Sequence, residues 1–321
     1  MKHRFAAGTL GTLAISLLLA YAPMAQAAQP AAKAAVAPAV SAPKAKQQLQ
    51  VLADQYYDAL ARFEPINATE SGDNRFDDQL GSAIVPAARA KQFALYRQYQ
   101  KTLRGIARAQ LSHQDQINYD ILDYELATAL SFERFPEYLL PLNQMDSMPV
   151  TLANYAGGEA SQPLTTVKEY DAYLSRIGQL PGWIDQAIAN MKVGMQMGIV
   201  LPKALTESTL PQFKKLVSAT PQDSVYYTPI KNLPASFSAA DRERLTQTYT
   251  VIIEAKLMPA LQRLATFMER DYLPAGRTSS GWSALPDGAA WYQARVASST
   301  TTDLKPEQIH AIGLKEVARI Q

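Results

Sequence analysis

The sequence has 321 residues, 47% hydrophobic and 19% charged, with 31 Lys and Arg against 29 Asp and Glu. This is the balance of a globular protein, not of a disordered or membrane-embedded one. Without Lys2 and Arg4 at the leader-like start, 29 basic residues face 29 acidic ones, so there is no broad basic surface for nucleic acid. The absence of cysteine excludes disulfide scaffolds, zinc ribbons, thiol nucleophiles and a lipid-bearing N-terminal cysteine.

Residues 1–4 (MKHR) are basic, residues 10–22 (LGTLAISLLLAYA) are apolar, and Ala25-Gln26-Ala27 supplies small residues at a cleavage site. The pattern predicts a cleaved secretory signal over 1–27, because the apolar run falls short of the ~20 residues that span a bilayer. The expected location is the periplasm or the medium, with no membrane attachment after cleavage. Residues 28–46 are mostly Ala, Pro and Lys with no aromatic or acidic group, and they predict a disordered linker. A single helical domain is expected over 47–321.

From Gln47 the apolar residues recur at helical spacing. Leu49, Leu52, Tyr56, Leu60 and Phe63 form one stripe opposite Gln50, Asp54, Asp58 and Arg62, which predicts a surface helix with one buried face. Next comes the loop Ser71-Gly-Asp-Asn-Arg-Phe-Asp-Asp78. It lacks the Gly and terminal Glu of a calcium loop, so Arg75 is expected to pair with a nearby carboxylate. A second helix is predicted over 86–108, and a third begins after Ser112, whose spacing to Asp115 is that of a capping box. Ile117, Ile121, Leu122, Leu126 and Leu130 are expected on its core face, while Asp120 and Asp123 share a solvated one. Thr166 with Glu169 and Ser238 with Asp241 repeat the start signal, predicting helices over 167–179 and 239–268.

Pro181 and Pro202 bracket a methionine-rich stretch read as a core helix. Gly194-x-x-x-Gly198 within it points to close helix contact in a soluble core. Residues 269–303 are rich in Gly, Pro, Ser and Thr and carry Trp282, Trp291 and Tyr292, which predicts a loop with one short strand. The fold class expected is mainly α: an irregular multi-helix bundle with few strands.

The chemistry-bearing patterns are sparse. The only histidines are His3, His113 and His310, so no helix carries the two imidazoles one turn apart that a His-Glu-x-x-His zinc site needs. Glu307-x-x-His310 matches half of a di-iron motif without its second half. No Gly-x-Ser-x-Gly elbow, phosphate-binding loop or dinucleotide fingerprint occurs. No catalytic or metal-binding residue is assigned.

Several stretches taken together resemble the bacterial "domain of unknown function 885" family. They are Tyr56-Tyr57 in the opening helix, the loop 70–78 (ESGDNRFDD), 118–122 (NYDIL), 285–288 (LPDG), Trp291-Tyr292, 300–302 (TTT) and 306–320 (PEQIHAIGLKEVARI). The resemblance implies a longer helical protein similar to gluzincin-type zinc metallopeptidases, whose His-Glu-x-x-Pro-Gly-His-His helix lies in a half that this sequence does not contain. It transfers no metal or catalytic residue to any position here. Zinc is expected only in a full-length relative, and none is expected on this chain.

Pro306 suits the first turn of a helix whose apolar stripe, Ile309, Ile312, Val317 and Ile320, runs up to Gln321 with no Gly cap. A truncated N-terminal half is therefore expected, whose partner is the missing C-terminal half of the same polypeptide. In that reading the chain supplies one wall of a cleft, with Arg75, Trp291 and Tyr292 as residues that contact a peptide substrate. The alternative reading is a non-catalytic periplasmic helical module that binds a peptide or a partner protein.

Overall fold

The structure is a computed structural model that describes residues 42–145, 147–157 and 161–321. The expected signal segment and most of the linker lie outside the described residues. Thirteen α-helices joined by short 3-10 turns make up the described residues, with no strand among them. The only β-type contact there is an isolated bridge between Pro202 and Arg277.

Helix α1 (Ala42–Phe63) begins five residues before the periodicity predicts, and Ala45 is already buried. The alanines of 42–46 extend the helix at little cost because Ala loses no side-chain entropy on ordering. Short α2 (Pro65–Glu70) leads through the turn around Asn74–Phe76 to α3 (Pro86–Arg104). Helix α4 (His113–Ser131) starts where Ser112 accepts a hydrogen bond from the Asp115 N–H at 3.2 Å. Helices α1, α3 and α4 share one core of Leu49, Leu52, Tyr56, Phe93, Tyr96, Leu103, Tyr119, Leu122 and Leu126. The buried face of α4 is thus Tyr119, Leu122 and Leu126, while Ile117 and Ile121 are exposed at 39% and 40%. Leu122 and Leu126 hold their expected places, and Tyr119, amphipathic by sequence, takes the core position in place of the two isoleucines.

A second and larger core surrounds α6 (Val167–Gln196), reached by way of α5 (Met148–Ala156). The capping box at Thr166 and Glu169 forms as expected. The helix then runs through Pro181 for 30 residues instead of stopping near residue 179. Proline removes one backbone donor and crowds the preceding turn, but Ile177, Leu180, Ile184 and Met191 are all fully buried on either side, and their packing outweighs that local cost. At its end Gly198, at φ +70°, lets Ile199 N–H reach the Gly194 carbonyl at 2.8 Å. The Gly-x-x-x-Gly pair is thus a helix stop, and Gly194 also lies close to the Leu139 backbone.

Helix α7 (Lys203–Leu216) and short α8 (Thr228–Lys231) precede one unbroken helical rod. It comprises α9 (Ala239–Ile252), a π-helical turn Ile253–Leu257, α10 (Met258–Phe267), a second π turn Met268–Tyr272, and α11 (Leu273–Ala275). Each π turn ends just before a proline, Pro259 and Pro274. A wider turn relieves the clash of the proline ring with the preceding turn. Leu245, Tyr249, Ile253, Leu257, Leu261, Leu264 and Met268 on this rod are buried against α6 and α7.

Residues 269–303 were expected to be loop with a strand. They contain instead α12 (Gly288–Thr300), followed by α13 (Pro306–Ile320). The start of α12 is set by Asp287 in the left-handed region at φ 56° and by Gly288, where a Cβ would lie 1.9 Å from the Trp282 carbonyl oxygen. Trp291 stacks on Phe135 at 5.5 Å and meets Trp282 edge-on, building a third small core with Leu139, Ile199 and Leu285.

One buried cation ties the stretch from Pro65 to Gln79 to α6. Arg176 on α6 is 0% exposed. It donates to the carbonyls of Gln79 (2.8 Å), Pro65 (3.1 Å) and Phe76 (3.1 Å), to Gln162 Oε1 (2.7 Å) and to Thr69 Oγ1 (2.7 Å). Thr69 in turn donates to Asp77 Oδ1 at 2.5 Å, and the Arg176 guanidinium lies 3.7 Å from the same oxygen. Replacing Arg176 by Met should cost about 3–5 kcal/mol in urea unfolding, because the carbonyls and Gln162 lose a charged donor and the buried Asp77, still bonded to Thr69 and Asn74, loses its counter-charge. Pairing it with Asp77→Asn should cost clearly less than the two single losses added together, whereas simple additivity would dissociate the two side chains.

Candidate functional site

The main cavity has a volume of about 520 Å³ and lies where α1, α3 and α4 meet α12. Tyr56, Tyr57, Leu60 and Ala61 of α1 line one side, with Glu64, Asn67, Ala68 and Ser71 just beyond. Arg89, Gln92, Phe93 and Tyr96 of α3 and Tyr124, Glu125, Thr128 and Ala129 of α4 line a second. Glu137, Tyr138, Arg295 and Ser298 complete the far wall. A concave, largely apolar space with a few converging polar groups is the usual form of a ligand site.

The polar groups differ in how they are satisfied. Glu137 accepts from Trp291 Nε1 at 3.2 Å and pairs with Arg295. Arg89 spends its guanidinium on the carbonyls of Phe132 (3.0 Å), Glu133 (3.2 Å) and Phe135 (2.7 Å), capping the end of α4 as a cation should. Burial lowers its pKa. Glu64 accepts from Gln92 Nε2 at 2.7 Å and from Asn67 Nδ2 at 2.9 Å, both neutral donors. Gln92 Nε2 also reaches the Tyr96 hydroxyl at 2.7 Å. Glu125 makes no hydrogen bond and no ion pair among the described residues. Its side chain is exposed, and the protein on its cavity side displaces some of its water and raises its pKa. Burial, followed by the charges of Glu125 and Glu64, raises the Tyr56 phenol, and burial followed by Glu64 and Tyr56 raises Tyr96. These side chains therefore form one coupled acidic corner of the cavity.

None of the three residues expected at a site lines this cavity. Arg75 lies at the surface, held by Asp73 at 2.7 Å and Asp58 at 2.7 Å, the pairing expected from the loop sequence. Its fork is thus already engaged by two carboxylates. Trp291 is 1% exposed and packs in the third core, where it helps to position Glu137 instead of presenting a surface platform. Tyr292, its neighbour, is 45% exposed. The structure does not bring the three together.

The carboxylates singled out in the sequence, Asp120 and Asp123, form exposed ion pairs with Arg108 and Arg104, as a solvated face should. The residue missed is Glu125, two positions on, which points to the cavity side of the same helix. Nothing in its local sequence sets it apart from Asp120 and Asp123; its place on the cavity wall beside Tyr124 and Thr128 follows from how α4 packs. No group of three or more His, Asp or Glu side chains able to hold a metal exists among the described residues. His113 and His310 are both exposed, on α4 and α13. The described residues do not form a zinc site.

A family model described as "Bacterial protein of unknown function (DUF885)" matches residues 65–321. No curated protein matches significantly. Among solved structures, the chain is similar to one titled "The crystal structure of the putative lipoprotein from Colwellia psychrerythraea", with a TM-score of 0.71 and 22% identity, covering 86% of this chain and 49% of that one. The likeness is one of fold, and the chain spans about half the length of that protein.

The raised pKa of Glu125 means that folding costs more when its carboxyl is charged. The penalty is absent below the ordinary carboxylate pKa and develops as pH rises through the folded-state value. Glu125→Gln should therefore raise the urea midpoint at pH 7 and lose that advantage at pH 4. Trp291→Ala should lower stability by about 3–5 kcal/mol through the void it leaves beside Phe135, and a near-neutral result in the same unfolding measurement would remove Trp291 from the core.

Proposed function

This chain belongs to the bacterial DUF885 family, and we propose that it forms the helical wall of a ligand cleft in an exported, peptidase-like protein. The observation that carries this reading is the 520 Å³ cavity, walled by α1, α3, α4 and α12 and lined by tyrosines with an acidic corner. The zinc and the general base of a gluzincin belong, in this reading, to a further C-terminal portion, since the residues here do not form a metal site. The wall's own part is to bind and orient a substrate and to exclude water from it, which raises the rate by positioning.

Helix α13 supports the same reading. It buries none of its residues, and Ile312, Leu314, Val317 and Ile320 are 51–74% exposed. An exposed apolar face of that kind is a docking surface, and the solved neighbour is about twice as long as the part of it that this chain matches. The occupant of the face is the C-terminal portion. Export is supported by the signal-like residues 1–27 and by the printed title of the neighbour. Among the described residues no helix is long and apolar enough to cross a membrane.

The test is peptide hydrolysis by the product of the complete reading frame, with and without a chelator. Chelator-sensitive hydrolysis is expected. Thr128→Trp, which fills the cavity, should lower kcat/KM by roughly tenfold or more in a protein whose thermal midpoint confirms folding. Absence of hydrolysis across a mixed peptide pool, or full activity in the filled variant, would overturn the reading.

A further inference from the structure

We propose that the cavity selects ligands carrying an organic cation, an ammonium or guanidinium held by the Glu125 carboxylate beside the rings of Tyr56 and Tyr96. The proposal rests on the reading of the cavity as a ligand cleft and names the chemistry of what enters it. Five charged side chains line the space: Glu64, Glu125, Glu137, Arg89 and Arg295. Arg295 is matched to Glu137, and Arg89 is committed to three backbone carbonyls. Arg89 keeps its charge, but neither it nor Arg295 forms an ion pair with the other two carboxylates.

The surface arginines of α3 cannot supply one either, since Arg97 pairs with Glu133 and Arg104 with Asp123. Glu64 is satisfied by two amide groups, which donate hydrogen bonds without cancelling its charge. Glu125 has no partner at all among the described residues. Two carboxylates without a counter-ion on the wall of a largely apolar space leave that corner negative, and a bound cation is the charge complementary to it. The acidic corner is also aromatic. Tyr56 lies 6.4 Å from Tyr96 and 5.2 Å from Tyr99, ring centre to ring centre, and tyrosine rings attract ammonium and guanidinium groups.

A divalent metal is the wrong occupant, because the corner does not offer three grouped metal-binding side chains. The space instead accommodates a side chain with its flanking peptide groups. On a peptide the cation has two sources, a Lys or Arg side chain or the N-terminal ammonium, and both present the same chemistry to Glu125.

The experiment is calorimetric titration of the full chain with three small probes. N-acetyl-arginine amide carries only a side-chain cation, norleucine amide only an α-ammonium, and N-acetyl-norleucine amide no charge. At least one charged probe should bind roughly tenfold or more tighter than the neutral one, and which of the two binds better identifies the source. Glu125→Gln, of the same shape, should abolish the preference, and Glu125→Asp, which keeps the charge, should retain it in part. Circular dichroism establishes that both variants are folded. Equal binding of all three probes, or a preference that survives in Glu125→Gln, would overturn the cation proposal and leave the cleft reading standing. Failure of every probe to bind would overturn both.

Discussion

A single buried guanidinium sets the relation between the N-terminal helices and the central helix. Arg176 gathers carbonyls from Pro65, Phe76 and Gln79, giving a charged donor to acceptors from three positions of one turn-rich stretch. The guanidinium fork is suited to this because it presents five donors in a fixed plane. The chain from α2 to the start of α3 is in this way fastened to α6. The residues that follow α1 and line the cavity, Asn67, Ala68 and Ser71, sit on that fastened stretch. At its outer edge Arg75 bridges Asp73 to Asp58 on α1, an exposed contact worth far less than the buried one.

The cavity occupies the seam where the first core meets the small core around Trp291. Each core uses its own apolar side chains to close itself, so the polar and aromatic rims of α1, α3, α4 and α12 are left facing one another. Tyr124 on α4 reaches across to the Ala297 carbonyl on α12 at 3.4 Å, and Arg89 and Arg295 hold the far wall through contacts that neutralise it. What remains asymmetric is the acidic corner, and that asymmetry gives the space a direction.

What could be read from the sequence was what is local. The caps at Ser112, Thr166 and Ser238 depend on residues three apart and all form, with the reciprocal capping box completed at Thr166 alone. The stripe of α1 and the overall helical character follow from periodicity in the same way. Pro181 misleads because a local penalty is overruled by burial of Ile177 and Ile184, which only the tertiary structure reveals. Gly288 and Asp287 start a helix where composition suggested a loop, since the turn they make depends on the backbone of Trp282. Arg176 was detectable in principle: it falls within the apolar stripe of Tyr173, Ile177 and Leu180, where a charge demands a buried partner. Glu125 was not, because what distinguishes it is the lack of a partner, and a sequence shows which residues are present without showing which of them meet.

The rod from Ala239 to Ala275 carries a further implication. Each π turn accommodates one residue more than an α-helical turn would, so the face of everything downstream is rotated by about 100° relative to a regular helix. Arg277, immediately past the rod, donates to the Val200 and Leu201 carbonyls and fixes where the chain departs toward α12. The direction of the cavity's far wall is thus encoded partly as a count of residues in a helix that does not touch the cavity. Single-residue insertions and deletions within 253–272 should therefore act as rotations of that wall, reshaping the cleft while keeping every residue that lines it.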